Sequence, residues 1–448
     1  MLKPLDAVVS VTREQYPFTS RADLPPEFKS AIFIPGIGTD CSHYYFLVDF
    51  ARRMVTCWSI DLKKLHQEVM ARLAGQAVTV PWKQASLSRF IEVIHFPHSA
   101  DCHGEWIYVS FIEGSFILGL HAFSDEYKIV FDAEAGGQKV YSSTNQIRDG
   151  RMHFTRWDLD ETFLHEADRS HPVPLEIGTY DIASEAFNVV DVIPGPDDIH
   201  YTAVTRDRRT FVLVEMSQDM MAEDAPRDQQ FETLAAEEKR KIREQGIHTS
   251  EVITYDTVTR RAHRASVQNG PAHVEWDQRD DSVYYLSSHN LVTNNDTLYC
   301  FGNTRIDRFR LIDGASVRER SYESDDLLRG PSHRLMTFQG SRMMAIPTYP
   351  NQIHIVNLDT MSLYKKIELG KNPAAKPDFS GGPIRYPRST EDKTPYTVDA
   401  IDGTPYLYLS SVWNVTAFDF EREQKLATIG YNRSKPMVLM GHASRFEL

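Results

Sequence analysis

Short runs of alternating apolar and polar residues recur along the whole chain, each broken by an acidic turn and followed by a second such run. YYFLVDFARRMVTCWSI turns at Asp49, YKIVFDAEAGGQKVYSS at Asp132, EIGTYDIASEAFNVVDV at Asp181 and EVITYDTVTRRAHRASV at Asp256. DRFRLIDGASVRERSYE (Asp313), IHIVNLDTMSLYKKIEL (Asp359) and NVTAFDFEREQKLATIG (Asp419) bring the copies to seven. Alternation with a period of two around a turn is a hairpin signal, and its repetition marks a repeat architecture. Each copy reads as the outer hairpin of a four-stranded blade. The fold expected is therefore all-β: a seven-bladed β-propeller with short helical inserts capping one face, one domain over residues 1–448.

The inserts fall in the two longest gaps between copies. DLKKLHQEVMARLAG (61–75) has apolar residues at helical spacing, and residues 219–246, with AAEEKRKIREQG, form a charged helix with i,i+4 Glu/Lys pairs. NPAAKPDFSGGPIRYPRS (372–389) reads as a long loop.

Upstream of the hairpins, the segments read as innermost strands begin at comparable points with His95, His153, His200, His273 and His333; the next such segment has Tyr396 there. In a radial array equivalent points converge on the axis. Converging neutral imidazoles suit Fe(II), Cu or Zn, and the pattern alone does not choose among them.

Composition narrows the classes. The chain has 448 residues, is 41% hydrophobic and carries a formal net charge of −13, which argues against nucleic acid and anionic membrane surfaces as partners. Its four cysteines, Cys41, Cys57, Cys102 and Cys300, show no C-x-x-C spacing. No run of 18 apolar residues and no secretory apolar region is present, so the expected location is cytoplasmic.

Several segments, in order, carry a family resemblance. VVDVIPGPDDIHYTAVTRDRRTFVLVE (189–215), FIEGSFILGL (111–120), GRMHFTRWD (150–158), NGPAHVEWDQRDDSVYY (269–285), YPRSTEDKTPY (386–396) and GHASRFEL (441–448) together resemble the motifs of the carotenoid cleavage oxygenases. The resemblance implies a non-haem Fe(II) held by His153, His200, His273 and His442, with Glu113 and Glu391 bracing ligand histidines. It leaves His95 and His333 as channel-lining or structural residues. The family's middle bracing glutamate is replaced by Arg329-Gly330-Pro331, with Asp325 or Asp326 as substitutes. The implied reaction is O₂-dependent cleavage of a carbon–carbon double bond in an apolar apocarotenoid or stilbenoid, giving carbonyl products. Phe96, Phe154, Trp157, Tyr201, Trp276 and Phe338 are candidates to line an apolar tunnel. Two other readings fit a histidine-bearing propeller: a metal-dependent lyase acting on an acidic sugar, and a non-enzymatic interaction propeller.

Overall fold

The computed structural model describes residues 11–18, 23–38, 43–61, 97–111, 114–132, 139–142, 145–158, 161, 171–196, 199–205, 208–215, 249–268, 273–277, 282–286, 289–292, 298–301, 303–312, 315–328, 334–348, 352–369, 397–411, 414–431, 437–439 and 444–448. The helical inserts expected at 61–75 and 219–246 lie outside this set, apart from Asp61. Apart from the single helical residue Glu161, the elements assigned within it are β-strands, and all pairings are antiparallel.

Among the described residues most strands group into meanders, numbered here as sheets 1 to 7 with the eight-stranded sheet divided into 5 and 6, while His289–Val292 and Leu298–Phe301 pair as a separate two-stranded sheet. Sheet 1 runs Ala31–Gly38, His43–Asp49 and Met54–Ile60, with Val11–Pro17 outside; the C-terminal Met437–Leu439 and Ser444–Phe446 pair with Ala31–Gly38 as its first strand. Sheet 2 is Pro97–His103, Trp106–Phe111, Ile117–His121 and Tyr127–Val130. Sheet 3 is Gln146–Arg148, Arg151–Asp158, Val173–Asp181 and Ala186–Gly195, with Lys139–Tyr141 also paired to its second strand. Sheet 4 is Ile199–Val204, Thr210–Glu215, Thr249–Asp256 and Arg261–Gln268. Sheets 5 (His273–Asp277, Ser282–Leu286, Asn303–Ile312, Ala315–Leu328) and 6 (Arg334–Phe338, Ser341–Thr348, Gln352–Asn357, Ser362–Glu368) are joined by the single pairing Leu328↔Thr348. Sheet 7 is Thr397–Ala400, Tyr406–Ser410, Asn414–Asp419 and Gln424–Gly430. Two compact units result: one is residues 1–21, 29–197 and 431–448, with sheets 1 to 3, and the other residues 22–28 and 198–430, with sheets 4 to 7.

The hairpin between third and fourth strands is where local sequence dictates structure most plainly. Asp49, Asp181, Asp256, Asn357 and Asp419 each end a third strand, and each pairs with the residue five positions on. Each side-chain oxygen accepts backbone amides of the turn: Arg52 at 2.8 Å, Ser184 at 2.9 Å, Val258 and Thr259 at 2.8 and 2.9 Å, Asp359 and Thr360 at 2.9 and 3.0 Å, Glu421 and Arg422 at 3.0 Å. The fourth residue after each lies in the left-handed region: Arg53, Glu185, Arg260, Met361 and Glu423, with φ between 53° and 55°. Two of the hairpins between first and second strands are two-residue turns with both φ positive, Asp149-Gly150 and Gln339-Gly340.

Two of the seven expected turns are placed differently. Tyr127–Val130 is the fourth strand of sheet 2, while Lys139–Tyr141 pairs into sheet 3, so Asp132 does not head an outer hairpin. The hairpin of sheet 2 turns instead at His121, whose Nδ1 accepts the Phe123 amide at 3.2 Å. In sheet 6 the turn is capped by Asn357, two residues before Asp359, whose carboxylate instead pairs with Arg342.

Because successive side chains point to opposite faces, one strand feeds two cores. In sheet 2, Ile107 and Val109 pack with Phe33, Leu47 and Trp58 of sheet 1, while Tyr108 packs with Met152, Phe154 and Tyr180 of sheet 3. Sheet 6 likewise sends Ala345, Ile353 and Ile355 towards Leu407, Leu409 and Phe418 of sheet 7, and Met344, Ile346 and Val356 towards Ile306 and Tyr322 of sheet 5. Sheets thus stack face to face within each unit.

Candidate functional site

The second strands can be aligned through the residue that pairs with the end of the third strand: Ala31, Trp106, Arg151, Thr210, Met343 and Tyr406. Two residues further along stand Phe33, Tyr108, His153, Val212, Ala345 and Tyr408, all buried. His153 is therefore a second-strand residue on a rung otherwise filled by core side chains. It pairs with Gln146 on one side and Thr179 on the other. The alignment of His153 with His200 as equivalent starts of innermost strands is corrected on this point. His200 lies in the first strand of sheet 4 and His273 opens the first strand of sheet 5.

First strands align through the same ladder. His98 and His200 each sit at a register irregularity one residue after the strand begins, between Pro97 and Ser99 and between Ile199 and Tyr201. His98 is buried, at 3% exposure. It is the histidine of sheet 2 that matches His200, rather than the expected His95, which lies outside the described residues. The signal available was the repeated form Pro-His-Ser and Ile-His-Tyr ahead of an alanine or Thr-Ala pair.

Glu113, His333, Glu391 and His442 lie outside the described residues, and the side chains of His200 and His273 do too. His153 is 2% exposed and its Nδ1 lies 3.4 Å from the Gln146 carbonyl oxygen. A neutral imidazole donating from Nδ1 to a carbonyl keeps Nε2 as its acceptor atom, the form in which histidine ligates a metal. Among the described residues, no three His, Cys, Asp or Glu side chains converge as metal ligands. Of the proposed tunnel aromatics, Phe154, Trp157 and Phe338 are core residues: Phe154 packs against Tyr141 and Phe187, and Phe338 against Phe420 and Tyr364. Phe96 and the side chains of Tyr201 and Trp276 lie outside the described residues.

Two polar constellations were not visible in the sequence. In sheet 3 the buried Arg156 donates from Nε to Glu176 at 2.7 Å and from a terminal nitrogen to Asp132 at 2.8 Å, while Lys139 bridges Glu176 at 2.7 Å and Asp158 at 3.1 Å. Burial works against the Arg156 charge, yet Tyr141, Glu176 and Asp132 outweigh it and raise its pKa. Burial alone would also raise Glu176, but Lys139 and Arg156 hold it below the ordinary carboxylate range. Burial pushes the Tyr141 hydroxyl up to about 12.

The second constellation is in sheets 6 and 7. Asp399, fully buried, accepts the Ala400 amide at 2.7 Å and lies 3.2 Å from Nε of Arg334. Thr397 is directly opposite Ser410, and Asp399 opposite Tyr408, so the four side chains share one face. Sheet 2 repeats the pattern with Ser99 opposite Ser110 and Asp101 opposite Tyr108. There, however, Asp101 accepts the Ile147 amide at 2.7 Å and Ser110 accepts from Asn145 at 3.0 Å.

No protein family's profile matches the chain, and no curated protein does. Among solved structures it is similar to a dihydro-heme d1 dehydrogenase, NirN, in complex with DHE, at 11% identity and a TM-score of 0.44, over 97% of this chain and 79% of that one. No helix among the described residues is long and apolar enough to cross a membrane.

Proposed function

We propose that the seven meanders are the blades of one β-propeller, and that it holds a single non-haem Fe(II) through His153, His200, His273 and His442. Glu113 and Glu391 would brace ligand rings by accepting their outer N–H. The reaction proposed is O₂-dependent cleavage of a carbon–carbon double bond in an apolar aryl-alkene or apocarotenoid, yielding two carbonyl products. Iron supplies the O₂ chemistry; the chain supplies imidazole donors, their orientation and an apolar surround.

One observation carries the reading: His200 and His273 stand at the openings of first strands of adjacent sheets in the chain, the strands that line the axis of a propeller. The pairing of C-terminal strands with Ala31–Gly38 supports the propeller, since a ring of blades is closed by joining the two ends of the chain. The carbonyl partner of His153 Nδ1 is compatible with ligation through Nε2. The place of His153 on a second strand means that its assignment rests on the family resemblance alone.

The test is iron content and turnover together. Protein purified without oxygen and supplied with Fe(II) should hold iron and consume O₂ with a stilbenoid or apocarotenoid while releasing aldehydes. His200→Ala and His273→Ala should abolish both with the fold retained. Folded protein that takes up no iron would refute the proposal.

A further inference from the structure

Two buried hydroxyls in sheet 7 are orphaned. Among the described residues, Thr397 Oγ1 and Ser410 Oγ have no hydrogen-bond partner, although Thr397 is 2% exposed and Ser410 fully buried. They face each other across neighbouring strands, with Asp399 and Tyr408 two residues further along on the same face. A buried hydroxyl without a partner is costly, and two side by side favour a polar occupant that hydrogen-bonds to both.

Charge selects the occupant. Asp399 is paired with Arg334 Nε, 3.2 Å away, so these two charges offset each other. A second anion would be placed beside the buried Asp399 carboxylate, where solvent is excluded, and a cation would meet the like charge of the half-exposed Arg334 guanidinium; both are less favourable than a neutral group. A neutral hydroxyl meets neither penalty. It can accept from one of the two side-chain hydroxyls while donating to the other or to Asp399. Sheet 2, which repeats the four positions, satisfies Ser110 and Asp101 from within the protein, so of these two sheets it is sheet 7 that leaves its hydroxyl pair unsatisfied.

We infer that Thr397, Ser410, Asp399 and Arg334 form a binding site for a hydroxyl group, phenolic or alcoholic, of an uncharged ligand. As a statement about the substrate, that the alkene bears such a hydroxyl, the inference rests on the function proposed above. As a statement about binding, it stands on this geometry.

The test uses the full chain, with 4-methylphenol as probe and toluene as the isosteric control, read by titration calorimetry and by a crystal structure of the soaked protein. The expected result is saturable binding of 4-methylphenol at least tenfold tighter than toluene, with its oxygen at Ser410 and Thr397. Ser410→Ala should raise the melting temperature of the unliganded protein, because an orphan is removed, and weaken 4-methylphenol about tenfold. Thr397→Val, which keeps the shape, should do the same. Equal binding of both probes, a melting temperature lowered by both variants, or an ordered water only between the hydroxyls would overturn the inference. Iron measured in the same samples separates the two claims. Probe binding by a protein that cannot take iron defeats the oxygenase reading alone; iron uptake without probe binding defeats this one alone.

Discussion

His121 Nδ1 accepts the backbone amide of Phe123 at 3.2 Å, the bond that aspartate or asparagine oxygens make in the equivalent hairpins of five other sheets. The imidazole stands in for a carboxylate, and its Nε2 lies 3.2 Å from Glu105. His121→Ala should therefore cost about 1 kcal/mol, the usual loss of a side chain that satisfies turn amides, whereas His121→Asn should stay within roughly half of that. Urea unfolding midpoints of the two variants test this; equal losses would show that the ring contributes instead by its edge-on packing on Trp106, 5.2 Å between ring centroids.

Asp256 makes the same turn with added electrostatics. The Arg209 guanidinium bonded to its carboxylate, and the amides of Thr259 and Val258, bring its pKa from an ordinary 3.8 to about 2 against the opposing effect of burial. A folded value below the unfolded one means that the stabilisation is complete above pH 4 and is lost as pH falls from about 4 to about 2. Over that interval the wild-type chain should lose more stability than Asp256→Asn, measured by denaturant titration at each pH. Parallel losses would contradict the assignment.

The Arg156 cluster makes a larger demand. Removing the guanidinium takes from Asp132 and Glu176 the buried cation that lies 2.8 and 2.7 Å from their carboxylates. Arg156→Ala should destabilise by roughly 3 kcal/mol or more, as expected for one member of a buried ion-pair group. Restoring charge balance with Asp132→Asn in the same chain should recover part of that loss in a double-mutant cycle.

Gly178 tests the packing of sheet 3. A Cβ there would lie 2.6 Å from Phe154 Cζ and 2.8 Å from the Asn188 carbonyl oxygen. Gly178→Ala should cost about 1–3 kcal/mol, as overpacking does, and adding Phe154→Leu should relieve the side-chain part of it while the clash with backbone persists. Thermal unfolding of the single and double variants decides the matter.

Much of the fold was legible because the hairpin is local. An Asx residue at the end of an alternating run, with its turn amides in the next three positions, needs no tertiary information, and Asp49, Asp181, Asp256 and Asp419 were found that way. His121 is not legible in the same way, because a histidine carries no turn signal of its own, and Asn357 and Asp359 both stand at the turn, where sequence does not show which of them caps it. The candidate site was less legible for a different reason. First and second strands share the same alternation, so sequence cannot say which of them holds a given histidine; only pairing does. Gln146–Arg148 is a first strand of just three residues, and passing over it moved His153 one strand inward. Asp399 and Arg334 come from separate sheets, and nothing in either segment announces the other.

The central claim is an iron propeller with His200 and His273 among its ligands, and metal stoichiometry of anaerobically reconstituted protein tests it most directly. Wild-type chain and the phenylalanine-core variant Phe154→Leu should each bind close to one Fe(II), while His200→Ala and His273→Ala, equally folded, should bind almost none. Iron absent from folded wild-type protein, or retained undiminished by both histidine variants, would contradict the account.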